Sequence, residues 1–300
     1  MSVDVIIKQK GLFKKKLSLK DILMDKFKYG RYNENYILYP EERGDGEITI
    51  YNPQCIGRGI SVIWNEEEIN EIGLHMLLPT TNSEINDFYD LIEHLCMLWK
   101  TKTFIQDGEE RSLNELNDLK MNMKAYSFET LQSFLTEHDN GNFFCAMWPY
   151  SFQAKDVKHW LEDQTLMAFE KDLHENQLKD LYYANPRYYR DQDNKIMGVY
   201  TVTATVDTIF PIRPIVPFSQ VNFENGESLE ADYYSVALVS IEKDDMIGSL
   251  KFEDFINEIS RQELHEFDSE HFYFNGLSEN QILEFTQKLN FESNNIFIIN

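Results

Sequence analysis

One segment of the sequence gathers the residue types that bind metal ions. In RQELHEFDSEHF, His265, Asp268 and His271 recur at steps of three residues. A helix continuing through this segment would bring neighbouring members of the series onto one face, and imidazole and carboxylate groups are ligands for divalent metals. The favoured interpretation is nevertheless an acidic, solvated face, because acidic residues are frequent throughout the chain. A metal site is the competing hypothesis.

A second segment, YYANPRYYRDQD, is rich in tyrosine and arginine. Its candidate binding residues are Tyr182, Tyr183, Arg187, Tyr188, Tyr189 and Arg190. Tyrosine and arginine are enriched in protein-binding hot spots, because they combine a large contact area with polar groups. The favoured alternative is a structural joint between a helix and the next strand. In that case the tyrosines cover a sheet edge, and the arginines pair with the chain's abundant carboxylates.

Evidence for catalysis is absent from the sequence. Nucleophilic catalysis requires a serine or cysteine beside a base and an oxyanion donor, and the chain has no Gly-x-Ser-x-Gly elbow. Cys145, in NFFCAMW, is flanked by bulky apolar residues, which predicts a buried thiol of low reactivity. Gly57-Arg58-Gly59 is too short for a P-loop or a dinucleotide fingerprint, so a tight hairpin is its favoured interpretation. We therefore assign no catalytic residue and no cofactor.

The charge of the chain limits its partners. Its 300 residues include 51 acidic and 28 basic side chains, for a formal net charge of −23. Such a field repels nucleic acid and anionic membranes but attracts a basic protein. The exception is the stretch 1–31, which holds nine basic and three acidic residues. Its lysines are expected to face acids elsewhere in the fold; a phosphate or membrane site is the alternative.

Cysteine usage and hydropathy indicate the compartment. No apolar run approaches the ~20 residues of a membrane-spanning helix, and MSVDVIIKQK lacks the features of a secretory signal. The three cysteines, Cys55, Cys96 and Cys145, are too few and too widely spaced for a disulfide framework or a zinc site. We therefore expect a cytoplasmic protein with no membrane partner.

Several helices are predicted from periodicity and capping. After Pro79, apolar residues recur at steps of three and four, which predicts a long amphipathic helix lying on the preceding sheet. Ser18 and Asp21 form a capping-box pattern at the start of a short helix. A helical region is expected from about Gln153 to Tyr183, in one or two pieces, and the approach to Pro186 should end it.

Strands are predicted towards both ends of the chain. The first group includes VDVIIKQ, a hairpin in NYILYPEERGDGEITIYN, GISVIWN and INEIGLHMLLP; the second includes GVYTVTATVDTIF, YYSVALVSIEK and NIFIIN. This order predicts an α+β fold, with mostly antiparallel or mixed sheets at both ends, helices packed on them and a helical middle. Residues 1–300 form one unit or two subdomains. The subdomains would be a β-rich 1–150 with the amphipathic helix, and a 151–300 with a helical linker region and a β-rich end.

Three stretches carry a resemblance to a known family. They are KQKGLFKKKLSLKDIL, LLPTTNSEINDFYDLIEHLCMLWKTKTFIQDGEE and YYANPRYYR. Together with the chain length they resemble an uncharacterised family of Gram-positive bacteria, domain of unknown function 4299. The resemblance covers nearly the full chain, so it implies one family-wide unit in a bacterial cytoplasm. It implies no catalytic residues.

Two functional hypotheses follow from the sequence. The missing catalytic constellation, the negative field and the tyrosine–arginine segment favour a protein that binds another protein, in a regulatory or immunity-like role. The alternative is an enzyme or small-ligand-binding protein whose site assembles from distant residues, with a metal-dependent version at His265 and Asp268. A deep pocket with convergent histidine and carboxylate groups would favour this alternative.

Overall fold

A computed structural model describes residues 1–11, 14–42, 46–65, 70–287 and 297–298 of the chain. The chain divides into two compact units, Met1–Lys179 and Asp180–Asn300. Both units combine helices with antiparallel or mixed sheets, which confirms the predicted α+β class. Residues 151–179 belong to the first unit, because Trp160, Phe169 and Leu173 are part of its core.

An antiparallel sheet of eight strands organises the first unit. The strands are Ser2–Lys8 (β1), Lys28–Tyr32 (β2), Leu38–Pro40 (β3), Glu47–Tyr51 (β4), Ile60–Ile63 (β5), Glu71–Leu77 (β6), Thr103–Gln106 (β7) and Glu109–Ser112 (β8). Their spatial order is β3-β2-β4-β5-β6-β1-β7-β8. Burial alternates along β1, so that Val3, Val5 and Ile7 enter the core. A separate pair is formed by Asn140–Phe143 (β9) and Tyr150–Gln153 (β10).

Four α-helices of the first unit are described. They are Leu19–Leu23 (α1), Asn82–Leu98 (α2), Leu116–Glu137 (α3) and Met167–Gln177 (α4), with 3-10 turns at Leu113–Glu115 and Lys158–Leu161. The predicted amphipathic helix is α2, which buries its apolar stripe in the core below the sheet. The capping box of Ser18 and Asp21 is present at the start of α1. In the described part of the chain, no helix has both the length and the apolar character needed to cross a membrane.

Two sequence predictions about this unit are wrong. The expected hairpin does not form, because β3 and β4 pair with opposite sides of β2 instead of with each other. The expected helical region is much shorter: β10 reaches Gln153, and only Met167–Gln177 is α-helical. Before that helix, the backbone N–H and hydroxyl of Thr165 both donate to Asp163. Such local side-chain bonds compete with helical backbone bonds and favour a turn.

The basic stretch at the start of the chain faces acidic side chains of its own unit. Ion pairs join Lys8 to Glu71 at 3.5 Å, Lys10 to Glu110 at 3.6 Å, Lys15 to Asp21 at 3.4 Å and Lys26 to Asp87 at 2.5 Å. These contacts support the interpretation that the positive charge is complemented within the fold. A phosphate or membrane site formed by the other lysines of the stretch stays a hypothesis.

The second unit contains two mixed sheets. Its strands are Tyr182–Tyr183 (β11), Arg187–Arg190 (β12), Ile196–Thr203 (β13), Thr208–Pro211 (β14), Tyr233–Ser240 (β15), Asp245–Lys251 (β16), His265–Glu266 (β17), His271–Phe274 (β18) and Phe297–Ile298 (β19). One sheet has the order β11-β14-β18-β17 and the other β16-β15-β13-β12-β19. The pairs β11/β14 and β13/β15 are parallel, and the other pairs are antiparallel.

The core of the second unit is rich in aromatic residues. Tyr200, Phe210 and Phe255 are fully buried, and the ring centroids of Phe210 and Phe255 are 4.9 Å apart. The helices are Phe252–Ile259 (α5) and Glu279–Gln287 (α6), with a 3-10 turn at Phe218–Gln220. As predicted, Ser278 and Gln281 bond reciprocally at the start of α6.

Candidate functional site

The tyrosine–arginine segment is divided between the two sheets of the second unit. β11 pairs with β14, and β12 lies between β13 and β19. Tyr183 and Tyr188 are buried, with exposed fractions of 7% and 5%. The exposed members of the segment are Tyr182, Arg187 and Arg190, and Tyr189 is half-buried. The six candidate residues therefore do not form one continuous exposed surface.

The three candidate metal ligands lie on or between the strands of a β-hairpin, so the continuing helix that a metal site in this segment would use is not present. His265 lies on β17, and His271 lies on the neighbouring antiparallel strand β18. The structure brings Asp268 and His271 together, with 2.8 Å between Oδ1 and Nδ1. The ring of His265 instead stacks on Tyr273, with 4.8 Å between centroids. Within the described ranges, no three His, Cys, Asp or Glu side chains are arranged to hold a metal ion.

Tyr183 joins Asp268 and His271 in a buried hydrogen-bonded network. Its hydroxyl is 2.9 Å from His271 Nε2. In the neutral tautomer whose Nδ1 donates to the Asp268 carboxylate, Nε2 accepts from the Tyr183 hydroxyl. Burial, with a smaller contribution from the charge of Asp268, raises the pKa of Tyr183 well above its ordinary value. All three residues are at least nine-tenths buried, which favours a structural role joining β11 to the β17–β18 hairpin.

The cysteines offer no reactive thiol. Cys96 and Cys145 are fully buried, and burial raises the pKa of each thiol to about 12. Cys55 is half-buried, and its pKa is also raised by burial. The nucleophilic thiolate form is therefore scarce at neutral pH. The predicted burial of Cys145 is confirmed.

The loop between β4 and β5 binds a carboxylate of the protein itself. Glu84, in the first turn of α2, is 4% exposed. Its Oε1 accepts from the Gly59 N–H at 2.6 Å, and its Oε2 accepts from the Arg58 N–H at 3.1 Å and from the Thr80 hydroxyl. Gly59 has a φ of +84°, which favours glycine. Successive N–H groups of this kind form an anion-binding nest, and here they bind the Glu84 carboxyl group. Burial raises the pKa of Glu84, against the opposing effect of these hydrogen bonds and of the Arg58 charge.

The side chain of Arg58 is buried, and its direct hydrogen-bond partners are neutral carbonyl oxygens. Its Nε donates to the carbonyl oxygen of Phe144 at 2.9 Å, and its Nη1 donates to that of Pro79 at 3.1 Å. The guanidinium carbon lies 4.9 Å from the centre of the Phe143 ring. Only 6% of Arg58 is exposed, and burial lowers its pKa. Carbonyl dipoles, an aromatic face and the opposing charge of the nearby Glu84 carboxyl group stabilise this cation.

A cavity of about 420 Å³ lies beside Arg58 in the first unit. Arg58 lines this cavity together with Pro79, Phe143 and Phe144, the three residues that its guanidinium contacts. The other apolar walls include Leu77, Leu78 and Phe134. Small-ligand sites typically have volumes of ≈ 300–1,000 Å³, apolar walls and a few placed polar groups. The cavity beside Arg58 has each of these features.

One face of α3 contributes polar groups, together with Phe134, to the wall of the cavity. Thr130, Ser133, Phe134 and Glu137 line it, at the three- and four-residue spacing of a helical face. The Ser133 hydroxyl donates to Glu137 Oε1 at 2.6 Å. His138 follows at the end of the helix and also lines the cavity. The cavity therefore combines a buried cation with an exposed carboxylate and an imidazole.

Comparison with known proteins identifies the family. The model of the family described as Domain of unknown function (DUF4299) matches residues 2–285. The chain belongs to this family. The DUF4299 match includes Arg58, Glu84 and the buried Tyr183 network, and every residue lining the cavity except Met1. No curated protein and no solved structure matches the chain.

Sequence reasoning on this DUF4299 chain missed the cavity. Gly57-Arg58-Gly59 was visible as a possible anion-binding loop, but its partner Glu84 is 26 residues from Arg58. The spacing of Thr130, Ser133, Phe134 and Glu137 was visible in SFETLQSFLTEH. That spacing alone indicates a helix face and does not reveal what the face contacts.

Proposed function

We propose that this DUF4299 protein binds a small organic anion with an apolar body in the cavity of its first unit. The observation that supports the proposal is the Arg58 guanidinium, buried in the cavity wall and contacted by carbonyl oxygens and an aromatic ring. A carboxylate reaching such a cation forms charge-assisted hydrogen bonds in a medium of low dielectric. This proposal corresponds to the hypothesis, drawn from the sequence, of a small-ligand-binding protein. It does not include the metal-dependent version of that hypothesis.

The apolar walls of the cavity favour a ligand whose body, apart from its anionic group, is apolar. Leu77, Leu78, Phe134, Phe143 and Phe144 present aliphatic and aromatic surface. Burying apolar ligand surface against such walls contributes roughly 25 cal/mol per Å² before the costs of binding. An aromatic or branched aliphatic carboxylate therefore fits the cavity better than an inorganic anion, which has no apolar surface to bury.

Isothermal titration calorimetry with benzoate, 3-phenylpropanoate and indole-3-acetate tests this function. We expect at least one of the three to bind about tenfold more tightly than its neutral amide, because only the acid pairs with Arg58. The substitution Ser133→Trp fills the cavity mouth from α3 and should abolish binding. Gln132→Trp is the matched control, since Gln132 is exposed on the same helix and does not line the cavity.

Two results would contradict the proposal. One is a wild type that binds none of the three carboxylates, and the other is binding that survives Ser133→Trp. Arg58→Gln is a supporting variant only, because the Arg58 side chain also bonds to Pro79 and Phe144 and its loss affects folding. Circular dichroism of each variant separates loss of binding from loss of structure.

A second function is supported by the surface of the second unit. Tyr182 is 43% exposed, and Arg187 and Arg190 are also exposed. We propose that these side chains contact a protein partner, and that the acidic remainder of the chain attracts a basic one. This proposal includes that the protein acts in the cytoplasm of a bacterium.

Affinity capture with a double variant tests the second function. Tyr182→Ala/Arg187→Ala removes exposed side chains and should lower recovery of a stoichiometric partner at least about fivefold. Tyr188 is a poor target, because it is buried and its hydroxyl lies 3.0 Å from that of Tyr234. Lys243→Ala, exposed in the same unit, is the control. Equal recovery by all three proteins would show that the segment is not an interface.

A further inference from the structure

The cavity of the first unit has two electrostatic poles. Arg58 supplies the positive pole in the wall. The negative pole is the end of α3, where Glu137 is the last helical residue and also lines the cavity. The carboxyl end of a helix carries a partial negative charge of about half an elementary charge. A carboxylate at this end adds to that field.

The negative pole is not neutralised by its own helix. The last turn of α3 has no basic residue, although cations are the residues that stabilise this position. The Ser133 hydroxyl donates to Glu137 Oε1 at 2.6 Å, which orients the carboxylate without removing its charge. The charged and titratable groups of the residues that line the cavity are Arg58, Glu137, His138 and the amino-terminal ammonium group of Met1.

We propose that the ligand of this cavity is a zwitterion, with its anionic group at Arg58 and an ammonium group at Glu137. This inference rests on the proposed anion site and narrows its ligand class to amino acids and related aminocarboxylates with an apolar body. A simple anion leaves the carboxylate pole unpaired, and a dianion is repelled by it. A simple amine satisfies Glu137 but faces the guanidinium. Only a ligand with both charges complements both poles.

Matched ligands test the charge pattern. Calorimetry would compare 3-phenylpropanoate, phenethylamine, L-phenylalanine and 4-(aminomethyl)benzoate at constant ionic strength; the two zwitterions differ in the separation of their charges. We expect the better zwitterion to bind about three- to fivefold more tightly than 3-phenylpropanoate, which is the effect of one solvent-exposed ion pair. Phenethylamine should bind most weakly.

The substitution Glu137→Gln tests whether the negative pole causes the tighter binding of the zwitterion. Glutamine keeps the acceptor for the Ser133 hydroxyl but removes the charge, so zwitterion and anion should then bind equally. Affinity for 3-phenylpropanoate should stay the same or rise. Glu129→Gln is the control, because Glu129 is exposed on α3 and does not line the cavity.

The outcomes separate this inference from the proposed function. If 3-phenylpropanoate binds the wild type without any zwitterion advantage, or if the advantage survives Glu137→Gln, the zwitterion inference is overturned and the anion site stands. If neither the anion nor either zwitterion binds the wild type, both are overturned. The inference is supported if the tighter binding of the zwitterion is lost in Glu137→Gln and kept in Glu129→Gln.

Discussion

Replacing Glu84 by alanine is expected to lower the free energy of unfolding of the first unit by about 3–5 kcal/mol. The substitution removes the anion from the nest, so that the N–H groups of Arg58 and Gly59 and the Thr80 hydroxyl lose their acceptor. It also leaves the buried Arg58 guanidinium without the opposing charge of Glu84. Buried donors without partners and an uncompensated buried charge are among the few causes of such large losses.

Urea denaturation followed by circular dichroism measures this loss. Glu84→Gln should give a smaller loss, because an amide oxygen can still accept one of the bonds while its NH₂ group faces donors. Glu93→Ala, a half-buried position on the same helix, is the control and should change stability by about 0.5 kcal/mol or less. If Glu84→Ala costs no more than Glu93→Ala, the nest does not stabilise the unit.

The second large effect is expected from Asp268→Ala in the second unit, with a loss of about 2–4 kcal/mol. Asp268 Oδ1 lies 2.8 Å from each of three nitrogens, the backbone nitrogens of Glu270 and His271 and the Nδ1 of His271. Alanine leaves these donors unsatisfied in a buried site. Asp268→Asn keeps an oxygen at the same position and should recover much of the loss. Tyr183→Phe removes only the hydroxyl bond to His271 and should cost about 1 kcal/mol.

Chelation distinguishes this network from a metal site. The free energy of unfolding of the wild type and of Asp268→Ala would be measured with and without EDTA. The difference in this free energy between the two proteins should be the same in both conditions, because the carboxylate acts through hydrogen bonds. A difference that disappears in EDTA would show that Asp268 acts through a metal ion. Glu263→Ala is the control, since the Glu263 side chain is 80% exposed.

Features that depend on neighbouring residues were predictable from the sequence. The apolar stripe of α2 and the capping boxes at Ser18 and Ser278 were all found in the structure. Each involves groups within about four residues of one another, so the sequence alone brings them together once a helix forms. The α+β class followed from the order of such elements.

Features that depend on pairing between distant elements were not predictable. The hairpin expected before Tyr51 failed because β2 lies between the two strands and pairs with both. The spacing of His265, Asp268 and His271 is compatible with a helix, but strand pairing made the segment a hairpin. Which strands pair is decided by the burial of the whole sheet and leaves little trace in local sequence.

The sequence by itself determined the α+β class, the local helices and caps, and the excess of negative charge. Only the tertiary structure decided which functional groups meet. It places Arg58 against Glu84, 26 residues along the chain, and Tyr183 against His271, 88 residues along. The physical reason is that residue types record local preferences, whereas a nest, a buried network and a cavity exist only after distant elements pack together.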